Sequence, residues 1–340
     1  MRGLICILLL FGTTAGMRAA SFDCKLAKTS QEKAICASAE LGKADEELAS
    51  AYRVALAGLS PTVGREVRND EGEWLRWVGT ICDAGKVQPA ATLAKCMVGE
   101  YREHAEILAK LQQRHGGLLF VTRTRALAVA DKPGEEQGFD HAGWGTLVAS
   151  WPEAVSDAPE WKAWNVGVEV ATETVAAPED GVVAGWNAEW ASGQDATVDT
   201  VLGRVGEGRV TARIGDELMG HGAAHPSEFG ENFHWMLKEQ REMKVADVFQ
   251  PGSAWAKVVT ARCERGLKKQ LGADYEYIDP MDKSVGEVIK TPHNWDLDAK
   301  GLTISFPEYS VTPRVEPADD VTVPWAELRP FLTATFVRPQ

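Results

Sequence analysis

Beyond its first twenty residues this 340-residue chain has no run approaching the roughly 20 apolar residues that a transmembrane helix requires, so no membrane span is expected. A basic surplus is missing too, since 36 Lys and Arg stand against 49 Asp and Glu, a net charge of −13. Nucleic acid and anionic lipid both need a basic face, and neither is expected as a partner. No Cys-x-x-Cys pair occurs, which removes the usual zinc spacing. His-Glu-x-x-His is absent, and no Gly-x-Ser-x-Gly elbow surrounds Ser227, so neither a zinc peptidase nor a serine hydrolase is indicated. No internal repeat or low-complexity tract appears.

What is present begins with Arg2, the apolar run from Leu4 to Phe11 and small residues ending in Ala19, Ala20 and Ser21. That is the layout of a secretory signal peptide over residues 1–20, so the mature protein is expected to be periplasmic or secreted and soluble. Cys24 follows Phe22 and Asp23 rather than the small residues of a lipobox, and no lipid anchor is expected. Cys24, Cys36, Cys82 and Cys96 make an even set within fewer than 100 exported residues, which reads as two disulfides. Three connectivities are open, and the local pairs Cys24 with Cys36 and Cys82 with Cys96 are favoured. Each would add about 3 kcal/mol in the chain-entropy picture. Cys263 has no partner left and is expected as a buried helical thiol.

Residues 21–115 read as helix. Thr29 with Glu32 makes a capping box. Leu41, Ala44, Leu48, Tyr52, Ala55 and Leu59 then fall on one stripe of a helix ending near Ser60 and Pro61. Val63, Val67, Trp74, Trp77, Val78 and Ile81 repeat the pattern, and Leu93, Met97, Tyr101, Leu108 and Leu111 repeat it again. Three amphipathic helices with short connections predict an antiparallel bundle, all α and disulfide-stapled, with the four cysteines at one pole. His115, Gly116 and Gly117 mark a change of pattern, and residues 116–340 form the second domain. Leu118 to Ala128, Val198 to Val205, Val210 to Leu218 and Leu302 to Phe306 read as strands, Ala254 to Leu271 and Trp325 to Leu332 as helices. Trp164 to Val175 stays open between the two. This irregular mixture predicts an α+β fold with an antiparallel sheet. Nearly all the acidity lies here: 21 basic residues oppose 35 acidic ones, against 13 and 14 in the first domain.

His221, His225 and His234, with Glu228 and Glu231 between them, are the densest set of metal-ligand types. Gly222 and Pro226 oppose the regular helix that would align two His four apart, so the expectation is a loop in which His225 holds backbone carbonyls, with no metal or other cofactor. The carboxylate pairs Glu135-Glu136, Asp216-Glu217 and Asp319-Asp320 read as solvated turns rather than a glycosidase dyad. Of 12 tryptophans, Trp186 and Trp190 lie in a polar, glycine-flanked setting and are candidates for stacking on sugars or anchoring a partner.

The stretch FDCKLAKTSQEKAIC, with Leu41 through Asp45, Leu48, Tyr52, Trp74-Leu75, Cys82, Cys96 and Tyr101, resembles the LprI-type lysozyme inhibitor N-terminal domain over residues 22 to about 113. The resemblance implies a small exported helical domain and a lysozyme partner. Residues 118 to about 335 resemble the extracytoplasmic domain shared by the RsiV anti-sigma factor and the peptidoglycan deacetylase PdaC. The matching stretches include Trp151-Pro152, HGAAHP from His221 to Pro226, VADVF from Val245, WAKVVTARCERGL and the late GLTISFPEYSVTP. The catalytic domain of PdaC and the membrane helix of RsiV have no counterpart here. Tyr309 and Pro313, in that late stretch, and His225 in the HGAAHP stretch are further contact candidates. Together these readings predict a non-enzymatic envelope protein that binds lysozyme, another basic wall-active protein, or peptidoglycan; the alternatives are a peptidoglycan-associated enzyme, a metal-dependent accessory or a glycan-binding module.

Overall fold

A computed structural model of the chain describes residues 20–83, 89–134, 143–175, 191–272, 281–308, 310–312 and 317–340. The chain divides into two compact units, residues 1–54 with 85–109 and residues 55–84 with 110–340. The expected signal segment, residues 1–20, lies outside the described residues except for Ala20.

Helices α1 (Ser30–Ala37), α2 (Ala39–Leu56), α3 (Pro61–Asp83) and α4 (Ala90–Ala109) occupy the N-terminal third. The capping box forms as read: Glu32 N donates to Thr29 Oγ1 at 3.1 Å, and Thr29 N donates to Glu32 Oε2 at 2.9 Å. The first expected helix is divided in two. Ser38 turns extended, with φ −114° and ψ 117°, and its Oγ accepts from Leu41 N at 3.2 Å. A serine hydroxyl that satisfies a free first-turn N–H favours a new helix start over continuation. The stripe residues Leu41, Ala44, Leu48, Leu93, Met97, Tyr101 and Leu108 are buried as expected. Both local disulfides form, Cys24 with Cys36 and Cys82 with Cys96.

In the second unit α3 lies on a seven-stranded sheet whose strands follow chain order: β1 (Gln112–His115), β2 (Leu118–Ala130), β3 (Trp144–Ala154), β4 (Gln194–Gly206), β5 (Arg209–Gly220), β6 (Ser227–Met236) and β7 (Arg241–Glu242). Gly116 and Gly117, both at positive φ, turn β1 into β2. Every pairing is antiparallel except β3 with β4, which is parallel because α5 (Pro159–Val175) crosses over between them. The sheet is therefore mostly, not wholly, antiparallel, and the segment left open between strand and helix is this crossover helix. A Cβ at Gly167 of α5 would come within 2.4 Å of the Trp235 ring, so this approach to the sheet requires glycine. Trp164, Phe233, Leu147, Val198 and Ile214 form the core beneath it.

A second core gathers around Trp295, Phe249 and Trp255, the latter two stacked with centroids 4.3 Å apart. It is enclosed by α6 (Val245–Val248), α7 (Trp255–Leu271), α8 (Met281–Val288), α9 (Trp325–Leu328) and a small antiparallel sheet of β8 (Trp295–Leu297), β9 (Gly301–Ile304) and β10 (Val321–Pro324). Cys263 of α7 is buried, as expected, and burial pushes its thiol up to about 12, so it stays protonated and inert. No described helix is long and apolar enough to cross a membrane.

Candidate binding site

The helical unit carries a groove of about 440 Å³ between the break at Ser38 and the start of α4. Its shape follows from side-chain size, because Ala37, Ser38, Ala91 and Ala94 leave room where larger residues would close the contact. Glu40 and Lys95 bring charge to the lining, and Glu40 accepts from Arg102 at 3.0 Å. These residues went unnoticed in the sequence because the helix was read through Ser38. The signal was there, since serine in a helix interior is neutral at best and is favoured at an N-cap.

The three histidines do not converge. His221, its side chain buried, sits with Nδ1 3.1 Å from Asp131 and Nε2 3.3 Å from Asp195. Carboxylates at both ring nitrogens leave no nitrogen for a metal; they tie the end of β5 to the loop after β2 and the start of β4. His225 is exposed, its Nδ1 3.0 Å from the Pro226 carbonyl. His234 lies seven residues into β6, about 23 Å along the strand. Among the described residues no three His, Cys, Asp or Glu are placed to hold a metal ion. Trp186, Trp190, Tyr309, Pro313 and the pair Glu135-Glu136 lie outside the described residues. Asp216 and Glu217 point to opposite sides of β5. Asp216 is buried and pushed up to about 6 by that burial, whereas Glu217 is exposed.

His234 and His293 work as an opposed pair. His234 is fully enclosed and burial pulls it down to about 4, so it is neutral: Nε2–H donates to the Trp295 carbonyl at 2.8 Å, and Nδ1 accepts from Thr211 Oγ1 at 3.0 Å. His293 instead lies between Glu231 at 2.9 Å and Glu242 at 3.2 Å, and hydrogen bonds to those carboxylates, Glu231 first, push it up to about 10. A depressed histidine contributes stability that is full above its unfolded value near 6.5 and lost as pH falls toward 4. A raised one contributes stability that is full below 6.5 and lost as pH rises toward 10. The melting temperature is therefore expected to peak near pH 6.5 and fall on both sides. In a thermal scan from pH 4 to 10, His293→Gln should flatten the alkaline limb and leave the acid limb. An alkaline limb that persists in that variant would assign it to other groups.

Residues 24–108 match the family described as lysozyme inhibitor LprI. The match spans all four disulfide cysteines and every residue lining the helical groove. Residues 246–326 match DUF3298, a protein family of unknown function, and hold most of the second core. Among similar solved structures are a DUF3298 family member from Bacteroides fragilis NCTC 9343, 15% identical, covering 66% of this chain and 96% of its own with a TM-score of 0.44. A DUF3298 family protein from Pseudomonas aeruginosa PAO1 is 18% identical, covers 64% of this chain and 97% of its own, and also scores 0.44. No curated protein matches. An LprI-like segment with two disulfides, beside a DUF3298 segment, fits an extracytoplasmic envelope protein.

Proposed function

We propose that this chain is an exported, non-enzymatic envelope protein that binds and inhibits lysozyme through its LprI-like segment. The observation that carries the reading is the coincidence of the LprI match with the alanine-floored groove, since residues 24–108 contain the whole lining. A groove of that size takes one large side chain of a partner. Lysozymes are commonly strongly basic, and the chain's net charge of −13 speeds encounter with such a partner over a distance that salt shortens.

The test is a titration of the oxidised full chain, without its first twenty residues, against a lysozyme while wall lysis is followed. The full chain is required because α3, inside the LprI match, packs on β2, with Trp77 Nε1 donating to the Leu127 carbonyl at 3.2 Å. Inhibition at micromolar concentration is expected, weakening about tenfold between 0.05 and 0.5 M salt. Ala91→Trp fills the groove from an exposed position and should weaken inhibition at least about tenfold without lowering the melting temperature. Undisturbed lysis at every concentration sinks the proposal, and equal potency of Ala91→Trp removes the groove from it.

A further inference from the structure

The second unit holds another groove, of about 580 Å³, where the large sheet meets the small one. That volume falls within the range of small-molecule sites. Its lining divides by charge. Arg204 and Arg213 come from β4 and β5 of the large sheet, while Asp296, Asp298 and Asp320 come from β8, the turn after it and the approach to β10.

Among the described residues the two signs form no ion pair with each other across the groove. Among the described residues Arg213 makes no ion pair, and neither do Asp296 and Asp320, although all three line the same space. Arg204 spends one nitrogen on the Gln340 carbonyl at 3.1 Å. Asp298 Oδ1 is taken by Lys300 N and Gly301 N at 2.7 and 3.0 Å, which fixes its carboxylate in the turn. Burial raises the Asp296 carboxyl, and the neighbouring Asp298 and Asp320 add to it against the pull of Arg204.

Asn232 supplies an independent observation. It stands opposite Arg213 in the β5–β6 register, lines the groove, and is only 7% exposed, yet its side chain makes no hydrogen bond among the described residues. The residue is buried but its carboxamide opens onto the groove, so its donors and acceptor are free for a ligand there. The backbone is shaped to match. Gly203 is the extra residue of a bulge between Leu202 and Arg204, and a Cβ there would come within 3.1 Å of the Thr211 carbonyl. The bulge re-aims Arg204 beside the groove, as bulges do near binding sites.

We propose that this groove binds a short zwitterionic peptide, its carboxylate toward Arg204 and Arg213, its ammonium toward Asp296 and Asp320, and an amide of its backbone paired with Asn232. A phosphate or nucleotide is disfavoured by three carboxylates, and a neutral sugar would leave both charge sets unused. The carboxamide of Asn232, with one acceptor and two donors, is the complement of a peptide unit.

Calorimetric titration of the oxidised full chain with trialanine, free at both ends, tests this. Binding with a dissociation constant below about 1 mM is expected, and acetylated, amidated trialanine should bind at least about tenfold more weakly. Arg213→Gln, at an exposed position, and Asn232→Ala should each weaken trialanine at least about fivefold. Arg213→Gln alone decides the matter if Asn232→Ala fails to fold. A wall stem peptide with free carboxylates and a free ammonium forms the second arm: tighter binding than trialanine assigns the site to wall fragments, and equal or weaker binding assigns it to ordinary peptides. No heat from either peptide at about 5 mM overturns the proposal, as does equal affinity for the blocked peptide or unchanged affinity in Arg213→Gln. None of these outcomes depends on lysozyme.

Discussion

Cys24→Ser with Cys36→Ser is expected to lower stability by about 3 kcal/mol, the loop-closure entropy of a bridge across a sequence separation of 12. The native contacts around Cys24 cannot replace that contribution. The 3-10 turn Cys24–Leu26 buries no residue, and Leu26 is 68% exposed. Besides the disulfide, the start of the described chain is held by Ser21 N donating to Asp45 at 2.6 Å. A unit this small has too little core to do without staples. Denaturant unfolding followed by far-ultraviolet circular dichroism checks the figure. Reducing the parent should cost about twice as much, because Cys82 with Cys96 closes a loop of similar length. A serine variant unfolding at the parent's denaturant midpoint would show that the bridge constrains nothing the fold does not already hold.

The elements legible in the sequence were those whose signals are local. The capping box at Thr29, the helical stripes, the cysteine pairs and the alternation along β4 and β5 each declare themselves within a few residues. The elements missed depend on context. Pro152 argues against a strand, yet β3 runs through it, because β4 pairs only with Thr146 to Ser150 and the proline lies beyond, where that neighbour needs no N–H. In β6, Phe229, Glu231, Phe233 and Trp235 alternate with Gly230, Asn232 and His234, a period of two overshadowed by weighing His234 among the metal-ligand types. The binding grooves could not be read at all. Asn232 and Asp296 are 64 positions apart, and only the meeting of two sheets places both on one cavity.

Arg123→Met is expected to cost about 3 to 5 kcal/mol at pH 7, the usual penalty for leaving buried charge uncompensated. Arg123 on β2 donates through Nε and Nη2 to both oxygens of Asp70 on α3, at 2.7 and 2.9 Å, and through Nη1 to Glu153 on β3 at 3.0 Å. The three side chains are 19%, 13% and 20% exposed, so water screens them little. Burial already raises the Glu153 carboxyl against the pull of Arg123, while the hydrogen bonds to Asp70 raise Arg123 itself. Removing the guanidinium raises the Glu153 carboxyl further above its unfolded value. An acid whose folded value is raised gains relative stability as it protonates, so the deficit of Arg123→Met should shrink as pH falls from 7 toward 4.5. Arg123→Lys keeps the charge but loses the two-pronged geometry and should fall between, at about 1 to 2 kcal/mol. Replacing all three residues with apolar ones of similar volume should recover much of the loss, since packing can substitute for a buried ion cluster. Urea unfolding of the four proteins at pH 7 and pH 5 separates these outcomes. A cost for Arg123→Met below about 1 kcal/mol, or one independent of pH, would mean that the attachment of α3 to β2 rests on Trp77 and apolar contact rather than on this cluster.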